Sequence, residues 1–127
     1  MAKRAARVLV ADDDCHTREI LSRFLGERGF DVATANDGEL ALAEIVRFQP
    51  DVVLLDIRMP NMDGVECLQR IITDGVDCGV IMISGDADID QARETLTMGA
   101  ADFIFKPFDF EYLETSLLAK LLTMGRP

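Results

Sequence analysis

Four short apolar runs in this chain each end on a charged or hydroxyl side chain, and this feature constrains the fold more than any other. The runs are residues 8–11, 52–55, 80–83 and 103–105, and they are followed by Asp12 and Asp13, by Asp56, by Ser84 and by Lys106, respectively. Apolar runs of this length, bounded by polar residues, are typical of strands buried on both faces. In an open parallel sheet the ligand site lies beyond the carboxyl ends of the strands. We therefore expect these polar side chains to meet at one edge of a parallel sheet.

The three carboxylates of this set favour a hard divalent cation. Mg²⁺ prefers an octahedral shell of oxygen ligands that includes one or two carboxylates. We predict that Asp13 and Asp56 bind Mg²⁺ directly and that the backbone carbonyl of Arg58 is a third ligand. Asp12 is expected to act through a bound water. Two carboxylates about 5 Å apart repel by roughly 3 kcal/mol at an effective dielectric of ~20, so a cluster of three needs a counter-charge.

The remaining two side chains suit phosphoryl oxygens. A carboxylate is a weak nucleophile toward phosphorus unless a cation cancels its repulsion of the anionic donor. We predict that Asp56 accepts a phosphoryl group, that Lys106 neutralises a second phosphoryl oxygen and that Ser84 donates a hydrogen bond to a third. Phosphoryl transfer depends mainly on positioning and charge cancellation, so this small set is sufficient.

Segments with helical spacing separate the apolar runs, and this alternation predicts five βα units around a parallel sheet. The second strand is expected at residues 31–35, the third begins at Asp51, and the fifth spans residues 102–105. Helices are expected at residues 15–28, 37–48, 89–98 and 109–123, and another after an N-cap at Asp63. The residues expected to face the core from the first three helices are Ile20, Leu21, Phe24, Leu25, Leu40, Ala41, Ile45, Val65, Leu68, Ile71 and Ile72.

Length, charge and cysteine content limit the function classes. With 127 residues and 49% hydrophobic content, the chain is expected to form one domain, residues 1–127. A formal net charge of -10 argues against direct binding to nucleic acid or to an anionic membrane. The three cysteines lack metal-ligand spacing and predict reduced thiols in a soluble, cytoplasmic protein. No apolar segment approaches the roughly 20 residues that cross a bilayer.

Three segments resemble the receiver domain of bacterial two-component response regulators. Asp12 and Asp13 match the acidic pair that closes the first strand of that family, and residues 56–64 look like its phosphoacceptor loop. Residues 99–108 match the segment around its lysine, and Ser84 stands where the family has Ser or Thr. The resemblance covers nearly the whole chain. It implies a flavodoxin-like, doubly wound (βα)5 sheet with strand order 2-1-3-4-5 and helices on both faces.

The resemblance also implies a phosphorelay function. Asp56 would take its phosphoryl group from a phosphohistidine on a sensor histidine kinase or a histidine phosphotransfer protein. The receiver would catalyse only its own phosphorylation and dephosphorylation, so it would be a signalling protein and not an enzyme acting on other substrates. Opposite charges on Arg58 and Asp86 would hinder an attacking water, although an exposed pair is worth only about 0 to 1 kcal/mol.

The same resemblance implies a conformational switch. Ser84 would move toward the phosphoryl group and Phe103 would turn inward, and this population shift would alter the face formed by the fourth helix, the fifth strand and the fifth helix. That face would bind a downstream output domain or protein, and the resemblance allows a phosphorylation-dependent homodimer. A cis peptide bond is expected between Lys106 and Pro107.

Three other interpretations stay open at this point. The chain could be a receiver-like interaction module that never carries phosphate. In that case the aspartates that follow the first strand could simply cap a helix. A haloacid-dehalogenase-type phosphatase also uses a strand-end carboxylate, within an Asp-x-Asp-x-Thr/Val signature. This chain does not match that signature, because His16 stands in its last place after the first strand and Arg58 stands two residues after Asp56. There is also no room for a cap domain. A flavodoxin-like redox protein would need a Ser/Thr/Gly-rich phosphate loop after the first strand.

Overall fold

Strands and helices alternate along the chain, as the apolar patterning predicts. The structure, a computed structural model, describes residues 4–85 and 89–126. The strands are β1 (Arg7–Ala11), β2 (Asp31–Ala35), β3 (Val52–Asp56), β4 (Gly79–Ser84) and β5 (Asp102–Phe105). The helices are α1 (Cys15–Glu27), α2 (Gly38–Phe48), α3 (Gly64–Thr73), α4 (Ile89–Met98) and α5 (Phe110–Thr123).

The strands form one parallel sheet in the order β2-β1-β3-β4-β5, which confirms the predicted topology. Pairing is in register to the carboxyl ends: Ala11 lies beside Ala35 and Leu55. Asp56 lies beside Ile83, and Ser84 lies beside Phe105. The strand ends are therefore aligned along one edge, and the residues that follow them start from neighbouring positions.

Two apolar layers bury the two faces of the sheet. One layer holds alternate strand residues such as Leu9 and Leu55 against α2, α3 and α4. The other holds the intervening residues, such as Val8 and Leu54, against α1 and α5. Helices therefore cover both faces, as the flavodoxin-like fold class requires. In the part of the chain that the structure describes, we find no helix that combines the length and apolarity needed to cross a bilayer.

Three residues that the helical spacing predicts to be buried are exposed. Ile20, Leu40 and Ile72 are 38%, 49% and 47% exposed, respectively, so these core predictions are wrong. Leu21 and Leu25 of α1 are fully buried, as are Ala41 of α2 and Leu68 of α3. Each of the three exposed residues directly precedes or follows a fully or almost fully buried helix position, because each helix contacts the sheet through a narrow stripe.

Most of the helix bounds that differ by one residue from the prediction are explained by aspartate caps. The expected starts at Asp37 and Asp109 are N-caps, and the helices begin one residue later. Asp63 is confirmed as the N-cap of α3, since its Oδ1 accepts from the backbone N–H of Glu66 at 2.9 Å. A capping carboxylate satisfies an otherwise unpaired backbone donor and favours the positive end of the helix dipole.

The third strand also begins one residue later than predicted. Asp51 precedes it and is only 4% exposed. Its Oδ2 accepts from the backbone N–H of Arg7 at 2.8 Å, and its Oδ1 lies 3.5 Å from Arg4 and 3.6 Å from Arg126. This buried carboxylate therefore ties both ends of the described chain to the edge of the sheet opposite the predicted site.

Candidate functional site

The carboxyl edge of the sheet brings the predicted polar residues together from four strands. Asp56 and Ser84 are the last residues of β3 and β4. Asp12 and Asp13 directly follow β1, and Lys106 directly follows β5. Because these strands are parallel and adjacent, each of them delivers its polar residue to the same edge.

The three predicted carboxylates form a compact cluster. Asp12 is fully buried, Asp56 is 4% exposed and Asp13 is exposed. One oxygen from each of them lies within 4.8 Å of the others. This all-oxygen donor set fits a hard cation such as Mg²⁺, and Asp13 leaves the cluster open to solvent on one side.

Lys106 supplies a positive charge inside the cluster. Its Nζ donates to Oδ2 of Asp12 at 2.7 Å and to Oδ2 of Asp56 at 3.4 Å. The ammonium is therefore closer to Asp12 than to the predicted acceptor, a preference that the sequence did not indicate. One ammonium against three carboxylates leaves the cluster with excess negative charge, which a divalent cation would offset.

The environment of Asp56 favours its neutral form. Burial and the adjacent charge of Asp12 raise the pKa of Asp56 to about 6, although Lys106 and the backbone N–H of Arg58 act in the opposite direction. Burial alone would lower the pKa of Lys106, but its hydrogen bond to Asp12 and the two carboxylate charges raise that pKa above its ordinary value. Ionisation of Asp56 is therefore energetically unfavourable when no cation is bound.

Asp12 is held by all of its polar groups. Its backbone N–H donates to the carbonyl of Ala35 at 3.1 Å, and its Oδ1 accepts from the backbone N–H of Asp14 at 2.9 Å. Lys106 binds Oδ2, and Nη1 of Arg18 donates to the backbone carbonyl at 2.7 Å. The contact with Arg18 was missed by sequence reasoning. The available signal was a basic residue in the second turn of the helix that follows the acidic run.

The helix-cap interpretation of the acidic run applies to Asp14. Its side chain accepts from the backbone N–H of His16 at 3.1 Å and from the hydroxyl of Thr17 at 2.8 Å. These two hydrogen bonds lower the pKa of Asp14, and the bond from Thr17 has the larger effect. The run thus divides its roles, since Asp12 faces the cluster while Asp14 caps α1.

The loop between β3 and α3 is fixed by a close backbone approach at Gly64. The Gly64 N–H donates to the carbonyl of Ile57 at 2.7 Å. A Cβ atom on Gly64 would overlap the backbone carbonyl of Asp56. Only glycine therefore lets the first residue of α3 lie against the backbone of Asp56.

The start of α2 supports the same loop from the side. Asn61 adopts the left-handed conformation with φ of 69°. Its Nδ2 donates to Oδ2 of Asp37 at 2.9 Å, while Oδ1 of the same aspartate caps α2. A Cβ on Gly38 would overlap the carbonyl of Met62, so helix and loop are in direct backbone contact.

Ser84 and Arg58 occupy the remaining predicted positions. Ser84 is 1% exposed, and its carbonyl accepts from the backbone N–H of Lys106 at 2.9 Å. Arg58 is exposed, and its backbone N–H donates to Oδ1 of Asp56 at 3.3 Å. Asp86 lies outside the described residues, so its pairing with Arg58 stays a prediction.

The segment around Lys106 has the expected aromatic and proline features. Phe103 is 8% exposed and belongs to the core layer beneath α4, whereas Phe105 is 45% exposed. The two ring centroids are 5.1 Å apart. The peptide bond between Lys106 and Pro107 is cis, as predicted.

Comparison with known proteins agrees with this geometry. The sequence profile of the response regulator receiver domain matches residues 8–118. Over 107 residues the chain is 39% identical to the regulatory protein AtoC of Escherichia coli, covering 84% of this chain and 23% of AtoC. Over 115 residues it is 36% identical to the response regulator MprA of Mycobacterium leprae, covering 91% of this chain and 50% of MprA. The chain thus spans about a quarter to a half of the length of these relatives.

Solved structures of the same fold are also similar in sequence. The receiver domain of NtrX from Brucella abortus superposes with a TM-score of 0.86 at 35% identity, covering 91% of this chain and 98% of that domain. A chain of the CheX–CheY–BeF3–Mg²⁺ complex from Borrelia burgdorferi superposes with a TM-score of 0.84 at 34% identity, covering 90% of this chain and 87% of that one. Since the family profile covers most of the sequence, the chain belongs to the response regulator receiver domain family.

Proposed function

We propose that this chain is a phosphorelay receiver in which Asp56 accepts a phosphoryl group from a phosphohistidine. The donor would be a sensor histidine kinase or a histidine phosphotransfer protein. The observation that carries the proposal is the buried Asp56 carboxylate, which shares one sheet edge with Asp12, Asp13 and Lys106. The whole chain, residues 1–127, would act as a single receiver domain.

In the proposed transfer, an oxygen of Asp56 forms a bond to phosphorus while the phosphorus–nitrogen bond of the donor breaks. The electron pair of that bond stays on the imidazole nitrogen, and the product is an acyl phosphate. Lys106 offsets charge on one phosphoryl oxygen, and Ser84 donates a hydrogen bond to another. Because Asp56 is only 4% exposed, its carboxylate is largely shielded from bulk water before transfer.

Magnesium is the cofactor that the donor set favours. Asp13, Asp56 and the backbone carbonyl of Arg58 would hold the ion, with Asp12 acting through a water. When bound, it would supply the positive charge that lets an anionic donor approach a carboxylate. The Borrelia structure, whose complex includes Mg²⁺ and BeF3, supports this choice for a chain of similar sequence and fold.

The acyl phosphate would be hydrolysed by the receiver itself. A water would attack phosphorus, inorganic phosphate would leave, and the carboxylate of Asp56 would be restored. The chain would therefore turn over only its own phosphoryl group. Arg58 and Asp86 would slow this step by limiting the approach of water.

Phosphorylation would be read out at the face formed by α4, β5 and α5. Ser84 and Phe103 would couple the new charge to that face, shifting a population between two packings. Large apolar side chains are already exposed there: Ile89, Leu96, Phe105 and Tyr112 are between 44% and 65% exposed. An output domain, a separate target protein or a second phosphorylated copy would bind this face.

Intact-mass measurement after incubation with acetyl phosphate and Mg²⁺ tests the proposal. The wild-type chain should gain one phosphoryl group, and Asp56→Asn should gain none. Asp63→Asn is the matched control, because it changes a carboxylate in the same loop and asparagine still caps a helix. It should be labelled like the wild type, and EDTA should prevent labelling of both.

Two results would contradict the proposal. Labelling of Asp56→Asn at the wild-type level would place the acceptor elsewhere, and labelling in EDTA would remove the metal requirement. A wild-type chain that stays unlabelled by acetyl phosphate and by a phosphorylated histidine phosphotransfer protein would favour an interaction module instead.

A further inference from the structure

The peptide group that joins Asp12 to Asp13 is fixed from α1. Arg18 is half-buried, and its Nη1 donates to the carbonyl oxygen of Asp12 at 2.7 Å. The backbone N–H of Arg18 donates to the carbonyl of Asp14 at 3.1 Å, so the residue is anchored in the helix that follows. Arg18 thus bridges the rigid helix and the turn that carries the acidic pair.

Asp13 has no comparable support of its own. Within residues 4–85 and 89–126 its exposed carboxylate makes no hydrogen bond or ion pair, in contrast to Asp12 and Asp56. With no side-chain partner there, the backbone alone sets the position from which its side chain starts. The carbonyl of Asp12 and the N–H of Asp13 belong to one planar peptide group, so a hydrogen bond that fixes the carbonyl also restricts the direction in which the Asp13 side chain leaves the backbone.

We propose that Arg18 is a positioning residue for the metal ligand Asp13. It holds the peptide plane so that the exposed carboxylate points into the cluster before any ion arrives. This inference rests on the proposed magnesium site. Hydrogen-bonding partners that orient metal ligands typically change metal affinity by 10- to 100-fold when removed.

The sign of the effect separates positioning from simple electrostatics. Arg18 carries a positive charge close to a cation site, so Coulomb repulsion alone predicts that its removal strengthens Mg²⁺ binding. Loss of positioning predicts the opposite, because the freed peptide group lets Asp13 sample directions that do not face the ion. A weaker site after removal of a positive charge has no electrostatic explanation.

Calorimetric titration of the unphosphorylated chain with Mg²⁺ alone is the test, with Arg18→Met as the main variant. Methionine keeps an unbranched stem but loses the donor and the charge. We expect the dissociation constant to rise about 10-fold or more. Arg23→Met is the matched control, since Arg23 is an exposed residue of the same helix, and it should bind Mg²⁺ as tightly as wild type or more tightly. Urea unfolding in EDTA checks that each variant is folded.

A double-mutant cycle then asks whether Arg18 acts through Asp13. In an Asp13→Asn background, Arg18→Met should cause no further weakening, because the ligand that it positions is already lost. If Arg18→Met fails to fold, Arg18→Gln, which is neutral and too short to reach the carbonyl, gives the same comparison.

The outcomes distinguish this inference from the proposed metal site. If Asp13→Asn binds Mg²⁺ as tightly as wild type, the site and the role of Arg18 both fail. If Asp13→Asn weakens binding but Arg18→Met leaves it unchanged or tighter, only the role of Arg18 is overturned.

Discussion

The surroundings of Asp56 make its ionised form costly for the stability of the fold. Its carboxylate is 4% exposed and lies beside a second buried carboxylate, and both conditions disfavour its ionised form. A carboxylate that is poorly solvated is also a better nucleophile than one in water, because less hydration has to be lost on attack. In the proposed function, ionised Asp56 would therefore be more reactive toward phosphorus than an exposed aspartate, and its ionisation would lower the stability of the fold.

We predict that Asp56→Asn stabilises the metal-free protein in a pH-dependent way. The pKa of Asp56 is about 6 in the folded chain against an ordinary value of 3.8, so the folded state binds the proton more tightly. Stability contributed by this group is thus present at low pH and is lost as the pH rises through about 6. In EDTA at pH near 7.5 the variant should be more stable by about 1 to 3 kcal/mol, since one pKa unit corresponds to about 1.4 kcal/mol.

Urea unfolding of wild type and Asp56→Asn near pH 7.5 and near pH 4.5 measures this difference. The advantage of the variant should shrink at the lower pH, where the wild-type carboxyl group is already neutral. An equal advantage at both pH values would mean that ionisation of Asp56 does not limit stability.

At the scale of elements, the β3–α3 connection depends on a close backbone contact at Gly64. Gly64 lies against the carbonyl of Asp56, so any added Cβ must displace either the helix or the end of the strand. We predict that Gly64→Ala destabilises the protein by about 1 to 3 kcal/mol, the usual range for overpacking. It should also slow labelling by acetyl phosphate, because the displaced backbone carries Asp56, the proposed acceptor.

Gly26→Ala is the control for this substitution. Gly26 lies in the last turn of α1 and has open space around the position of a Cβ atom. Alanine there should raise stability by about 0.5 to 1 kcal/mol, because glycine is a poor helix former. Thermal unfolding and labelling rates of both variants test the comparison, and equal effects at Gly64 and Gly26 would disprove the steric argument.

The elements themselves were largely predictable from the sequence, because apolar runs, caps and helical spacing are local signals. The bounds of β2, α4 and β5 are those expected. The depth of burial was less predictable: Ile20, Leu40 and Ile72 lie at the margins of their apolar stripes and are exposed. Spacing identifies the face of a helix, but the width of the contact depends on how neighbouring helices pack.

The site was predictable in composition and less so in its contacts. Parallel strands that end on polar residues must gather them at one edge, and this rule located Asp12, Asp56 and Lys106 together. The preference of Lys106 for Asp12 depends on distances of a few tenths of an ångström. The bond from Arg18 reaches a backbone carbonyl, a group that every residue has, so the sequence shows a basic residue near the start of α1 but does not identify its partner.

At the scale of the whole molecule, we predict that Mg²⁺ raises the melting temperature at neutral pH. The acidic cluster joins β1 to β3 and exists only in the folded chain, so an ion that binds it stabilises the native state. At a free concentration ten times its dissociation constant, the gain is about 1.4 kcal/mol, or roughly 3 to 8 °C for a domain of this size.

Asp13→Asn should reduce this dependence, and calorimetric scans with MgCl2 against NaCl of equal ionic strength measure it. The salt control is necessary because a chain with a net charge of -10 gains some stability from screening alone. Identical melting curves in the two salts would argue against a magnesium site.

The ion pair between Asp12 and Lys106 joins residues 94 positions apart. A ribosome adds about 5 to 20 residues per second from the amino end, so the acidic residues that follow β1 emerge several seconds before their ammonium partner. In the proposed function, the nascent chain would lack a complete acceptor site during that interval, and phosphoryl transfer to Asp56 would begin only after translation has passed β5.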